Sequence, residues 1–269
     1  MEATVECMSD LQVSTSTLTA EERDFFEENG YVICRNLVES DVCSLMLDVV
    51  KTDVEHKREP FEYEADVHYP GAPEARSSQG GMTIRRLKLA HSRDPVFHNW
   101  LTSAPLLNRL RTLLGPQLVC PLGHHNCVMT KEPRFSSDTG WHQDIRYWAF
   151  SNTNLVSAWL ALGTENEKNG CLRVIPGSHR MTFQPDQFDQ EKFFRTDHPV
   201  NKQLISHAKF VEMKQGDVLL FHALTLHAAS RNYTDQTKYA AVFTFRALQN
   251  QPVPGTRSAA NGELLLPNE

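Results

Sequence analysis

No stretch of this chain approaches the ~18 consecutive apolar residues that a membrane-spanning helix requires, so no membrane association is expected. The opening segment MEATVECMSDLQVSTSTLTAEER carries acids and lacks an apolar run, which argues against a secretory signal and an arginine-rich transit peptide. There is no block of one charge sign. The 27 basic and 33 acidic residues are mixed along the chain for a net charge of −6, so neither nucleic acid nor an anionic membrane is an expected partner. The six cysteines (Cys7, Cys34, Cys43, Cys120, Cys127 and Cys171) form no C-x-x-C pair and sit mostly in apolar runs. That pattern predicts buried, reduced thiols and a cytoplasmic protein rather than disulfides or zinc ligands. Internal repeats are absent, and low complexity is confined to the Ser/Thr-rich stretch at 14–19.

What the sequence does hold is apolar content, 40% of residues, sufficient for a full core. One domain spanning 1–269 is expected: a flexible tail at 1–17, a helical part at 18–116 and a β-structure at 117–248. A small-molecule substrate and a monomer or homodimer are expected. Thr19 with Glu22 forms a capping box for a first helix, which Gly30 stops. A short buried strand YVICR follows, then a second helix with Ser40 as its expected cap. Residues 57–81 show no periodicity, and a loop of that length in a compact domain is usually functional or disordered. TIRRLKLAH (83–91) alternates as a strand, with two short helices expected at 94–101 and 105–114. From 117 onward, short β-rich runs are divided by Gly, Pro, Asn and Asp turns, the pattern of an antiparallel sandwich or barrel.

Within that β-region lies GWHQDIRYW (140–148). Residues two apart in a strand share a face, so His142 and Asp144 are expected to project together while Gln143 points away. That spacing can hold one metal ion. A third ligand is available downstream in GDVLLFHALTLHAAS, which contains His222 and His227. Either would complete the two-histidine, one-carboxylate face of non-haem Fe(II) oxygenases.

From about Leu18 to Arg246 the chain resembles the phytanoyl-CoA dioxygenase family. The resemblance rests on LTAEERDFFEENGYVICRNLVESDVC, GWHQD, SAWLAL, NGCLRVIPGSHR, GDVLLFHALTLHAASRN and the last strand, of which NGCLRVIPGSHR is the most specific. It implies a mostly β fold, a double-stranded β-helix (jelly-roll, cupin-like) flanked by helices. It also implies Fe(II), 2-oxoglutarate and O2 as cofactor and co-substrates. A small-molecule C–H bond would be oxidised with release of succinate and CO2.

By the same resemblance His142, Asp144 and His227 are the metal ligands, and His222 corresponds to a non-ligand histidine that supports the site. Gln143, Trp159, Lys88 and Cys127 correspond to residues lining the 2-oxoglutarate pocket. One departure stands out: where the family carries an arginine eleven residues after the distal histidine, this chain has Lys238. Arg246 shares its strand parity, so either could anchor the co-substrate. Lysine supplies a point charge where arginine supplies a planar fork, so the exchange is not neutral. His124 and His125, adjacent and hence on opposite strand faces, are read as structural. Arg146, Tyr147 and Trp148 are placed either on the substrate side of the metal or packed beneath the 57–81 loop, and 57–81 and 181–206 are read as covering segments. The competing readings are a cupin-like metal-dependent isomerase or hydrolase, and a non-catalytic binding relative.

Overall fold

A computed structural model of the protein describes residues 17–268, so the expected flexible tail, Thr17 apart, and Cys7 lie outside the described residues. The first helix, α1 (Ala20–Asn29), begins where Thr19 and Glu22 exchange side-chain hydrogen bonds. It ends at Gly30, which takes φ 80° and donates to the Phe26 carbonyl. The Gly30 turn delivers β1 (Tyr31–Cys34) to a sheet edge. Helix α2 (Ser40–Glu55) follows; its cap is Glu39, without a side-chain bond, rather than the expected Ser40. Cys43, Met46, Val50 and Asp53, at helical spacing, form its buried stripe. The aperiodic stretch at 57–81 contains one short strand, β2 (Phe61–Tyr63), and β3 (Ile84–Lys88) pairs with it. Helix α3 (Pro95–Leu101) is capped by the Asp94 carboxylate, and α4 (Ala104–Leu114) follows at once.

The remaining strands are β4 (Leu118–Pro121), β5 (Asn126–Lys131), β6 (Thr139–His142), β7 (Leu155–Ala161), β8 (Leu172–Val174), β9 (Lys209–Phe210), β10 (Val218–His222), β11 (His227–Ala229), β12 (Lys238–Ala247) and β13 (Glu263–Leu265). Two short helices, α5 (Pro199–Ile205) and α6 (Arg257–Ala260), sit among them. One sheet has nine strands, running β1-β10-β7-β12-β5-β3-β2, with β4 on β12 and β13 on β4; the other runs β6-β11-β8-β9. Every pairing is antiparallel. The larger sheet is not confined to 117–248, because β1, β2, β3 and β13 also join it.

Strand parity explains how this sheet serves two cores. Along β7, β10 and β12, Val156, Ala158, Leu160, Val218, Leu220, Ala241, Phe243 and Phe245 pack against the helices. The alternate residues Trp159, Ala161, Leu219, Phe221, Ala240 and Val242 face the other way and meet Leu172, Val174 and Ala229 of the smaller sheet. A strand covered on both faces reads as a continuous apolar run, which is why LVSAWLA is buried throughout. Polar side chains on the inner faces are therefore held between two sheets. Among the described residues, no helix is long and apolar enough to cross a membrane.

Candidate metal centre

The register between β6 and β11 sets His142 directly opposite His227, with ring centroids 4.2 Å apart. The Nδ1 of His142 lies 2.8 Å from the Gly140 carbonyl, and that of His227 lies 2.9 Å from the Thr225 carbonyl. A carbonyl can only accept, so both Nδ1 atoms carry protons and both Nε2 atoms keep their lone pairs. These Nε2 atoms lie 3.8 and 3.6 Å from Oδ1 of Asp144.

Asp144 reaches this position by a different route from the one expected. β6 ends at His142, and the chain turns at Gln143 into a 3-10 turn over Asp144–Tyr147. The two ligands therefore do not share a strand face; the turn, held by the Ile145 N–H on the Ala223 carbonyl at 3.2 Å, brings the carboxylate back beneath the imidazoles.

Burial and the facing His227 hold the His142 pKa well below its ordinary value, and burial lowers that of His227, so both rings are neutral. Burial alone would raise the Asp144 pKa; the surrounding imidazoles, His125 foremost, hold it well below the usual carboxylate range. Two neutral imidazole nitrogens and one carboxylate oxygen, all within 4.8 Å of one another, form a donor set suited to one divalent transition metal.

His125, read from sequence as structural, belongs to this cluster: its Nε2 lies 3.0 Å from Asp144 Oδ1. Burial opposes its charge, but the carboxylate outweighs burial and raises its pKa to about 10. His124 diverges, bonding Ser258 Oγ at 2.9 Å and stacking on Trp148. Strand parity offered no signal for it, because β5 begins only at Asn126 and His125 lies in the bend before it.

His222 does not support the centre. Its Nδ1 accepts from the Leu224 N–H at 3.1 Å, its ring faces His179, and burial lowers its pKa to about 4.

The triad opens into a cavity of about 210 Å³, to which both sheets and the turn contribute. The sequence model for phytanoyl-CoA dioxygenase (PhyH) matches residues 26–240. The chain belongs to the phytanoyl-CoA dioxygenase family. It is 28% identical over 242 residues to peroxisomal phytanoyl-CoA dioxygenase of Mus musculus, covering 82% of this chain and 66% of that one. The chain thus spans just under two thirds of the length of that relative. Among solved structures, EctD from S. alaskensis with 2-oxoglutarate and 5-hydroxyectoine superimposes with a TM-score of 0.74 at 20% identity, covering 97% of this chain and 90% of that one. The epimerase SnoN in complex with Fe3+, alpha ketoglutarate and nogalamycin RO does so with a TM-score of 0.68 at 19% identity, covering 93% and 94%.

In this family member the residues expected around the co-substrate divide. Trp159 and Lys238 line the cavity. The Lys238 ammonium sits 5.2 Å from the Trp159 ring centroid and 2.9 Å from Glu165 Oε2, while the Trp159 indole N–H donates to Glu165 Oε1 at 2.8 Å. Lys238 therefore has a partner within the protein, Glu165, which is buried and was missed from sequence. Arg246 has the right parity but lies at the far end of β12, opposite Val119. There it is bound to Glu263 and to the carbonyls of Ala247 and Leu248, away from the cavity.

Lys88 lies outside the cavity lining, half-exposed and 3.5 Å from Glu62; Arg86, two residues earlier, lines it instead. Cys127 is buried beside Trp159 without lining the cavity. Gln143 donates to the Leu224 carbonyl at 2.6 Å, tying the Asp144 turn to the segment that precedes His227. Arg146, Tyr147 and Trp148 line the cavity as expected. The two long irregular segments meet over it, where the Tyr69 and Phe193 rings pack edge to face at 5.6 Å.

Proposed function

We propose that this protein is an Fe(II)- and 2-oxoglutarate-dependent dioxygenase that oxidises an unactivated C–H bond of a small molecule, releasing succinate and CO2. The observation that carries this reading is the convergence of two tautomer-fixed Nε2 lone pairs on the Asp144 carboxylate. His142, Asp144 and His227 would hold Fe(II), and bound iron supplies the activation of O2 and the oxidising power. The two sheets, read as the halves of a double-stranded β-helix, keep the donors rigid. The Gly140 and Thr225 carbonyls fix ring orientation, and Gln143 locks the loop that carries Asp144 to the one that precedes His227.

Lys238 is the proposed anchor for the distal carboxylate of 2-oxoglutarate. An ammonium has three N–H donors, and the bond to Glu165 uses one, leaving two for the co-substrate. The Tyr69–Phe193 contact and the segments around it would exclude water from the bound substrate. Of the family residues, Lys88, Cys127 and Gln143 take supporting rather than contacting places in this reading. The five described cysteines, all free and buried, support a reducing, cytoplasmic setting.

The test is succinate release from 2-oxoglutarate by the purified full chain. Release that requires both Fe(II) and 2-oxoglutarate is expected. Metal-dependent turnover of another substrate without succinate would favour an isomerase or hydrolase, and ligand binding without turnover would favour a non-catalytic relative.

A further inference from the structure

The cavity carries far more positive than negative charge. Arg85, Arg86, Lys131, Arg146, Lys238 and Arg257 line it, against one lining carboxylate, Asp144, which the metal would take. Most of these cations are accounted for. Arg86 bonds Glu62 at 2.8 Å, with Arg85 at 3.8 Å from the same residue, and Lys238 bonds Glu165. Lys131 donates to the carbonyls of Ser137 and Ser230, and burial with the neighbouring Lys238 brings its pKa down to about 7. Arg257 is exposed and donates to the Gly123 carbonyl at 3.2 Å.

Arg146 is different. It stands on the same 3-10 turn as Asp144. Its guanidinium is wedged between the rings of Phe193 and Tyr147, 4.0 and 4.5 Å from their centroids. Its Nη2 makes one long hydrogen bond, 3.4 Å, to the Tyr69 hydroxyl. Its Nη1 is buried with no partner, and no ion pair joins the side chain to a carboxylate among the described residues. A buried charged donor left unbonded is costly, and native sites rarely keep one without a use.

We propose that the primary substrate is a small carboxylic acid and that Arg146 binds its carboxylate, holding the carbon to be oxidised over the metal. A carboxylate is planar and matches the open edge of a guanidinium that aromatic rings already hold in one plane. The cavity, smaller than the ~300–1,000 Å³ usual for drug-sized ligands, fits a compact acid rather than a long thioester. This rests on the oxygenase reading, but the charge argument concerns Arg146 alone. Lys238 lies on β12 and Arg146 on the turn after β6, so the co-substrate and substrate carboxylates have separate anchors.

The test is calorimetric binding to the full chain loaded anaerobically with Fe(II) and 2-oxoglutarate. The probes are amino acids, hydroxy acids and short fatty acids, each beside its primary amide and beside a phosphate monoester of matching size. Free acids should bind and their amides should bind at least ~10-fold more weakly. Arg146→Gln should weaken the acids ~10- to 100-fold and leave the Kd of 2-oxoglutarate unchanged. Arg146→Lys, which keeps the charge and the packed stem but loses the fork, should fall between, and serves if the glutamine variant does not fold. Equal binding of acids and amides, preference for the phosphate monoesters, no binding by any acid, or weakened 2-oxoglutarate binding in the Arg146 variants would overturn the proposal. Failure of the wild type to bind 2-oxoglutarate, with Arg146-dependent acid binding retained, would instead reject the oxygenase reading, and with it the oxidised carbon, and leave Arg146 as a carboxylate-binding residue only.

Discussion

His222 at the end of β10 and His227 at the start of β11 are five residues apart, both buried or nearly so, yet they are prepared for opposite tasks. The Nδ1 of His227 donates to a carbonyl, so its Nε2 lone pair is free and aimed at Asp144. The Nδ1 of His222 accepts from the Leu224 N–H, so its proton sits on Nε2 and its ring faces His179. The difference lies in the main chain: one backbone group presents an oxygen and the other an N–H, and that choice sets which nitrogen can bind metal. A pair of neighbouring histidines is not in itself a metal site. His179 and His222, with centroids 5.6 Å apart, are such a pair, and no carboxylate joins them in a ligand cluster among the described residues.

The largest effect expected from this contrast is on turnover. His227→Ala should reduce Fe(II)-dependent succinate formation to background, whereas His222→Ala should keep it within a few-fold of wild type, measured at equal folded fraction. Equal losses in both variants would break the contrast.

A second comparison sets the two ends of β12 against each other. Lys238→Ala should raise the KM for 2-oxoglutarate ~10- to 100-fold, since a charge-assisted hydrogen bond is worth ~1.5–3 kcal/mol. It should also lower stability by ~3–5 kcal/mol by leaving Glu165 unpaired. Adding Glu165→Gln should recover stability in denaturant titration but not the KM. Arg246→Ala should destabilise through Glu263 while leaving that KM unchanged in the folded fraction.

The smallest effect is on pH. The His222 pKa, about 4 in the folded chain against an ordinary 6.5, means that the unfolded chain takes up the proton first. Its contribution is therefore complete above about 6.5 and is lost as pH falls towards about 4, at ~1.4 kcal/mol per pH unit. His124, which burial lowers to about 3, acts in the same direction. His222→Gln, which can present its side-chain carbonyl to the Leu224 N–H, should flatten the fall in unfolding free energy between pH 6 and 5, and an unchanged slope would contradict the assignment.

Much of this was legible in the residues. The capping box and Gly30 stop gave α1 to the residue and the parity of β12 put Lys238 on the inner face, while the choice of His227 over His222 came from the family resemblance. The route of Asp144 was not legible, because a strand and a 3-10 turn can both follow WHQ and only tertiary contact to Ala223 selects the turn. The partner of Lys238 was hidden for a similar reason: Glu165 lies 73 residues away, in an isolated bridge to Met213, joined only by the fold. Excluding His125 came from treating HH as interior to a strand, when β5 begins only at Asn126.

The central claim is that His142, Asp144 and His227 together hold one Fe(II). Anaerobic titration of Fe(II) into metal-free full-length protein, read by a chelator assay of the bound fraction, tests it most directly when wild type and Asp144→Ala are compared at matched folding. Wild type should bind one Fe(II) per chain, and Asp144→Ala should lose that binding by at least ~10-fold; its thermal midpoint should fall, because His125 loses the carboxylate it pairs with. Equal Fe(II) affinity and stoichiometry in the two proteins would contradict the account.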